Sequence, residues 1–326
     1  MLGRLPAALK NRWADWCERV VGVDDPFAAW STAAPDAGGR FECFGAWPSR
    51  HVAPRRVDVW LPPGYDEPEA GPHAVLYMHD GQQLFDPATA AAGHPWAVGH
   101  HVTAQMLAGR MRPTIVVGIW STERRYAEYA PAAALRRLPA PLYSVATCGG
   151  HLPGEPFEAL SDAYLRFLVD ELKPAIDARY RTRRGLADTA VMGSSMGGLI
   201  ALNALVAYPE VFGAAGGLST HWPLSINPAL LRRGGDPRLG SIAEAGRAWL
   251  AEALPPAGRH RLYFDHGDRH LDALYAPHQR AVDALAVARG YRRGIDLQSR
   301  VFPGADHHER AWRARLGPAL AWLLPA

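Results

Sequence analysis

Residues 189–205 read Thr-Ala-Val-Met-Gly-Ser-Ser-Met-Gly-Gly-Leu-Ile-Ala-Leu-Asn-Ala-Leu. Gly193, Ser195 and Gly197 form a G-x-S-x-G motif between an apolar strand-like run and an apolar helix-like run. A serine on so sharp a strand-to-helix turn stands clear of the sheet as a nucleophile, and glycines on either side remove collisions with the neighbouring strand and helix. Ser195 holds the central position and Ser194 the variable one. The chemistry on offer is attack on a carbonyl to give an acyl-enzyme.

A hydroxyl titrates far above neutrality and needs a base poised near pH 7, which imidazole supplies unshifted. Where such an elbow opens a helix after a parallel strand, the partners follow along the chain as Asp or Glu and then His. Two downstream stretches qualify. One is His266-Gly-Asp268-Arg-His270-Leu-Asp272-Ala-Leu-Tyr275, and the other is Pro303-Gly-Ala-Asp-His307-His308-Glu309-Arg-Ala-Trp312. The base is therefore one of the pair His307 and His308, and the acid is Asp268 or Asp272. Asp268 directly follows Gly267, close to a strand end. His266, His270 and His278 read as pocket-rim or surface residues, and without H-E-x-x-H spacing no metal site and no cofactor is expected.

These residues need a scaffold. From Arg55 onward, short apolar runs alternate with longer helical patterns, which predicts a three-layer α/β fold with a mostly parallel central sheet and helices on both faces. The expected strands are Arg55–Leu61, His73–Met78, Thr114–Trp120, Thr189–Gly193, Phe212–Ser219, Arg261–Asp265 and Ile295–Val301. Leu165, Leu168, Leu172 and Ile176 share a helical face that Pro174 should kink. Val282, Leu285 and Ala286 mark another helix closed by Gly290, and Trp312, Leu316, Leu320 and Leu323 mark a last one. The Pro- and Gly-rich stretches 62–72 and 131–156 read as loops. Residues 1–50 read as an N-terminal extension packed on a single catalytic domain at 51–326.

Three motifs in this order carry a family resemblance: Tyr77-Met-His-Asp80-Gly81-Gln82-Gln-Leu-Phe85-Asp86, the elbow at Gly193–Gly198, and Phe302 to Trp312. Together they resemble the putative-esterase family of α/β-hydrolase-fold proteins, which includes esterase D, enterochelin esterases, microbial feruloyl esterases and mycolyltransferases. The likeness covers approximately residues 40–324. It implies a Ser-His-Asp triad with Ser195 as nucleophile and His307 as base, five positions before a tryptophan. It also implies Asp272 rather than Asp268 as acid, because the family's carboxylate sits a few residues beyond the glycine. The oxyanion hole it implies is the backbone N–H of Met196 with that of Gln82. Gly118 to Pro131 resembles a family loop that reaches the active-site face; its Arg124, Arg125, Glu128 and Tyr129 form a structural cluster or help hold substrate. His221 and Trp222 follow another strand at that face and are candidates to line an acyl or aryl pocket.

Hydrophobic residues make up 48% of the 326 and charged residues 21%, the balance of a folded globular chain. Basic residues exceed acidic ones by 35 − 32 = 3, too few and too scattered for a nucleic-acid groove. Cys17, Cys43 and Cys148 lack close pairing and read as buried thiols. Charges interrupt the first twenty residues, and no apolar run is long enough to span a membrane, so the expected location is cytoplasmic. The resulting expectation is a serine hydrolase of small-molecule carboxylic esters, its oligomeric state open. An acyltransferase using the same residues, or a binding protein on a hydrolase fold, are the alternatives.

Overall fold

A computed structural model describes residues 30–32, 38–150, 152, 155–231 and 236–326. Its strands are β1 (Trp30–Thr32), β2 (Arg40–Trp47), β3 (Arg55–Leu61), β4 (Ala74–His79), β5 (Thr114–Ile119), β6 (Thr189–Ser194), β7 (Ala214–Leu218), β8 (Arg261–His266) and β9 (Leu297–Val301). They form one sheet in the order β1-β2-β3-β5-β4-β6-β7-β8-β9. Pairing is antiparallel from β1 to β5 and parallel from β5 to β9. The parallel strands β4 to β7 are buried throughout, as expected of strands covered on both faces.

The main helices are α1 (Val98–Leu107), α2 (Arg125–Tyr129), α3 (Ser161–Arg166), α4 (Lys173–Arg179), α5 (Met196–Ala207), α6 (Pro237–Ala253), α7 (Tyr275–Ala288) and α8 (Glu309–Leu323). Alternation along β4 divides the core into two. Val75 and Tyr77 point to a cluster shared with α3 to α7, whereas Ala74, Leu76 and Met78 point to one shared with α1 and α8. The three-layer α/β-hydrolase fold is thus written in the period-two pattern of a single strand. All four apolar residues expected on the last helix are buried. Gly290 takes φ 93°, the left-handed conformation of a helix C-cap, after α7. Pro174 falls in the first turn of α4, and the chain between α3 and α4 widens into a π-helix at Phe167–Leu172, as a proline without N–H allows.

Three expectations change. Residues 40–47, assigned to a packed extension, form β2 inside the sheet, paired with β3 from Arg40 opposite Leu61 onward; most of 1–37 lies outside the described residues. The stretch 131–156 contains short helices at Ala132–Leu135 and Ala140–Ala146, because Pro131 and Pro139 sit at N-caps ahead of good helix formers rather than breaking them. Cys43 is buried, but Cys148 is exposed, beyond the end of the second short helix; Cys17 lies outside the described residues.

Candidate active site

The elbow joins β6 to α5 at the carboxyl end of the parallel strands, where open α/β sheets bind their ligands. Ser195 is the N-cap of α5 with φ 55° and ψ −122°, a strained conformation for a residue with a side chain. Its backbone is held from both sides: its N–H donates to the Leu218 carbonyl at 2.9 Å and its carbonyl accepts from the His221 N–H at 3.1 Å. A Cβ at Gly193 would lie 2.7 Å from the Gly197 carbonyl carbon, so the turn closes only on glycine.

His307 lies on the loop between β9 and α8. Its Nε2 is 2.9 Å from Ser195 Oγ, and its Nδ1 is 2.7 Å from Asp272 Oδ1. The ring is fixed edge-on by Trp312 at 5.0 Å and Tyr275 at 5.7 Å between ring centres. Asp272 is fully buried in a 3₁₀ turn, His270–Leu274, just ahead of α7. Its second oxygen accepts from the Ser219 hydroxyl at 2.6 Å and the Gly267 N–H at 2.7 Å. Burial pushes this carboxyl up, but the bonds from His307, Ser219 and Gly267 together with the imidazole's charge outweigh it and hold it below the ordinary value. Asp268 instead accepts from the Gly304 N–H at 2.8 Å on the exposed side of the same loop. His308 turns away and caps α8, its ring accepting from the Arg310 N–H at 3.2 Å.

Beside the elbow, Asp80 takes φ 59° and opens a 3₁₀ turn, Gly81–Gln83. Among the described residues, neither the Gln82 N–H nor the Met196 N–H donates to a protein acceptor. The first turn of α5 adds the positive end of its dipole. Gln82 is fixed through its side chain, whose Nε2 donates to Ser121 Oγ at 2.6 Å while its Oε1 accepts the Ser121 N–H at 3.2 Å. The loop rests on the helix start, since a Cβ at Gly197 would lie 3.1 Å from Asp80 Oδ2.

Of the candidate substrate residues, His221 and Trp222 prove to be interior. His221 has both ring nitrogens occupied, by the Tyr275 hydroxyl and the Ser225 carbonyl at 2.8 Å each, and burial lowers its pKa to about 4. Trp222 donates to Gln279 at 2.9 Å and packs edge-on against Phe264. A residue following a strand at this face can fold back under it, and both do. Arg124 stays partly exposed and pairs with Glu155 at 2.7 Å. Its neighbours form the structural cluster: Glu128 takes a buried fork from Arg55, and Tyr129 accepts the Asp80 N–H at 3.3 Å. Two residues beside Asp272 had no role in the sequence reading, Ser219 and the buried Arg315; the three-residue spacing of Trp312 and Arg315 on α8 is the signal that could have found the latter.

The chain belongs to the putative esterase family, which it matches over residues 52–323. It is similar to the uncharacterized protein YbbA of Bacillus subtilis, 26% identical over 169 residues. That alignment takes in 52% of this chain and 58% of the relative. A siderophore triacetylfusarinine C esterase of Aspergillus fumigatus is 29% identical over 161 residues, 49% of this chain and 48% of that protein. The chain therefore spans about half the length of the curated relatives it matches. Among solved structures, a ferulic acid esterase superposes with a TM-score of 0.57 at 19% identity, covering 88% of this chain and 98% of the other. The enterobactin esterase FES of Shigella flexneri gives 0.56 at 17% identity, with 90% and 60% covered. An S-formylglutathione hydrolase of Agrobacterium tumefaciens gives 0.53 at 18%, with 90% and 97% covered. These likenesses establish the α/β-hydrolase fold. Among the described residues no helix is long and apolar enough to cross a membrane.

Proposed function

We propose that the protein hydrolyses carboxylic esters of small molecules, with Ser195 as nucleophile, His307 as base and Asp272 as acid. The observation that carries the reading is the hydrogen-bonded line from Ser195 Oγ through the His307 ring to the buried Asp272 carboxylate. His307 Nε2 takes the hydroxyl proton as Ser195 attacks the ester carbonyl, and Asp272 holds the tautomer and stabilises the imidazolium. The oxyanion then meets the Met196 and Gln82 N–H groups, two fixed donors each worth about 3 kcal/mol in a dry site. Collapse expels the alkoxide, which takes the proton from His307. Water deprotonated by the same ring releases the acid and restores Ser195.

Family membership and the siderophore esterase relative support this reaction class. The relatives' names include a siderophore, ferulic acid and S-formylglutathione, which fits one acyl-transfer apparatus beneath differing loops. The test is labelling with a fluorophosphonate and hydrolysis of a panel of aryl, feruloyl and siderophore esters. Label and activity are expected in wild type and Ser194→Ala and absent in Ser195→Ala; equal loss in both variants overturns the assignment.

A further inference from the structure

The Ser219 hydroxyl is the meeting point of three side chains. Its Oγ lies 2.6 Å from Asp272 Oδ2, 3.0 Å from Trp312 Nε1 and 2.5 Å from Arg315 Nη2. An indole N–H and a guanidinium are donors only, and a carboxylate only accepts. The hydroxyl therefore receives two hydrogen bonds, and its single proton has one destination, Asp272. Arg315 is itself buried, with Nε on Asp265 Oδ1 at 2.9 Å and Nη2 3.6 Å from Asp272 Oδ2. Trp312 and Arg315 stand three residues apart on one face of α8, and Trp312 also meets the His307 ring. Ser219 closes the end of β7 with φ 47°, a left-handed conformation held by its N–H on the Asp265 carbonyl at 2.7 Å.

From this arrangement we infer that Ser219 and Arg315 are positioning residues for the acid. The guanidinium orients the hydroxyl, and the hydroxyl pins Asp272 Oδ2 so that Oδ1 faces His307. The inference rests on the reading of Asp272 as the triad's acid. A carboxylate that gives up a hydrogen-bond donor becomes a stronger base and holds the imidazolium proton more tightly. Losing the Ser219 proton therefore moves the acid limb of kcat/KM to higher pH. The other ionisable groups around the pair are the same in wild type and Ser219→Ala, among them Asp265 on β8, paired with Arg315 and pushed up to about 6 by burial. Tyr275 is on α7, and its phenol is pushed far up by burial. His221, kept neutral by burial, follows β7, and Arg125, paired with Asp80, acts on it from the start of α2. Glu309 opens α8 and acts on Arg125.

The experiment compares wild type, Ser219→Ala, Arg315→Lys and Asp272→Asn with an aryl ester, each rate divided by the sites titrated with a fluorophosphonate so that any misfolded fraction drops out. Ser219→Ala is expected to lose about tenfold to a hundredfold in kcat with KM little changed, and its acid limb to rise by about half a pH unit or more. Arg315→Lys keeps the charge and is expected to keep the limb near its wild-type position. A purely structural role would lower the titratable fraction and leave both kcat per site and the limb in place, which would overturn the inference. If Asp272→Asn loses activity while Ser219→Ala does not, this inference alone fails. If Asp272→Asn is itself near wild type, the acid's role falls and this inference with it.

Discussion

Arg125 grips both oxygens of Asp80, Nε on Oδ1 and Nη2 on Oδ2, at 2.7 Å each. The fork ties the loop after β4 to α2, and with it the backbone that carries Gln82. Asp80 sits in a left-handed conformation against the start of α5, so its position decides where the Gln82 N–H points relative to Ser195.

Breaking that fork should therefore cost transition-state stabilisation more than binding. Arg125→Met is expected to lower kcat by about tenfold to a hundredfold, in line with a misplaced oxyanion donor. Arg125→Lys should recover only part of the loss, because an ammonium cannot hold both oxygens in one plane. Steady-state kinetics on an aryl ester checks this; a raised KM at unchanged kcat would place the one-third-exposed Arg125 on the substrate instead.

The adjacent histidines should separate cleanly. On the proposed triad His307→Ala removes the base and is expected to lower kcat by at least about a thousandfold. His308→Ala removes an α8 cap and should leave kcat within a few-fold of wild type while lowering stability by about 0.5 to 1 kcal/mol. Kinetics and thermal melts on the two variants check both halves.

The thiols offer a test remote from the site. Burial and the nearby Asp58 carboxylate push the Cys43 thiol up to about 12, so it carries almost no thiolate at pH 8. In a Cys17→Ser background, Ellman's reagent at pH 8 should find one fast thiol. Adding Cys148→Ser should abolish it, with Cys43 reacting only after unfolding.

Much of this was legible beforehand because the signals are local. Gly193 is demanded by a contact four residues on, with the Gly197 carbonyl carbon, and buried parallel strands read as apolar runs. His307 and Asp272 were harder: each competes with a neighbour of the same type, and their hydrogen bonds to Ser195 and to each other span 112 and 35 residues. Asp268 and His308 are distinguished only by where their loops turn, towards Gly304 and Arg310 respectively. Trp222 follows β7 and is buried against Phe264 and Gln279, which the sequence left open because period and position do not tell whether a loop residue projects over the sheet or folds beneath it. Ser219 carries no sequence signal as a lone serine; its role exists only through partners 53, 93 and 96 residues away.

The buried Asp265 makes a prediction about stability rather than rate. It is fully enclosed, paired with Arg315 at 2.9 Å and accepting from the Tyr263 hydroxyl at 3.1 Å. Burial pushes its carboxyl up to about 6, against the opposing pull of Arg315 and these bonds, from an ordinary value of 3.8. Between these two pH values the folded protein keeps a proton that the unfolded chain has released. Stability from this group is therefore full below about pH 4 and declines as pH rises towards 6, with a slope of at most about 1.4 kcal/mol per pH unit. Asp265→Asn has no such proton to lose. The unfolding free energy of wild type minus that of the variant should fall from pH 4 to 6 and level off above about 7, while Asp272 and the other carboxylates cancel in the difference. Urea unfolding of both proteins across that range measures it. A difference that instead rises with pH would mean that Arg315 outweighs burial and holds Asp265 below the ordinary carboxylate range.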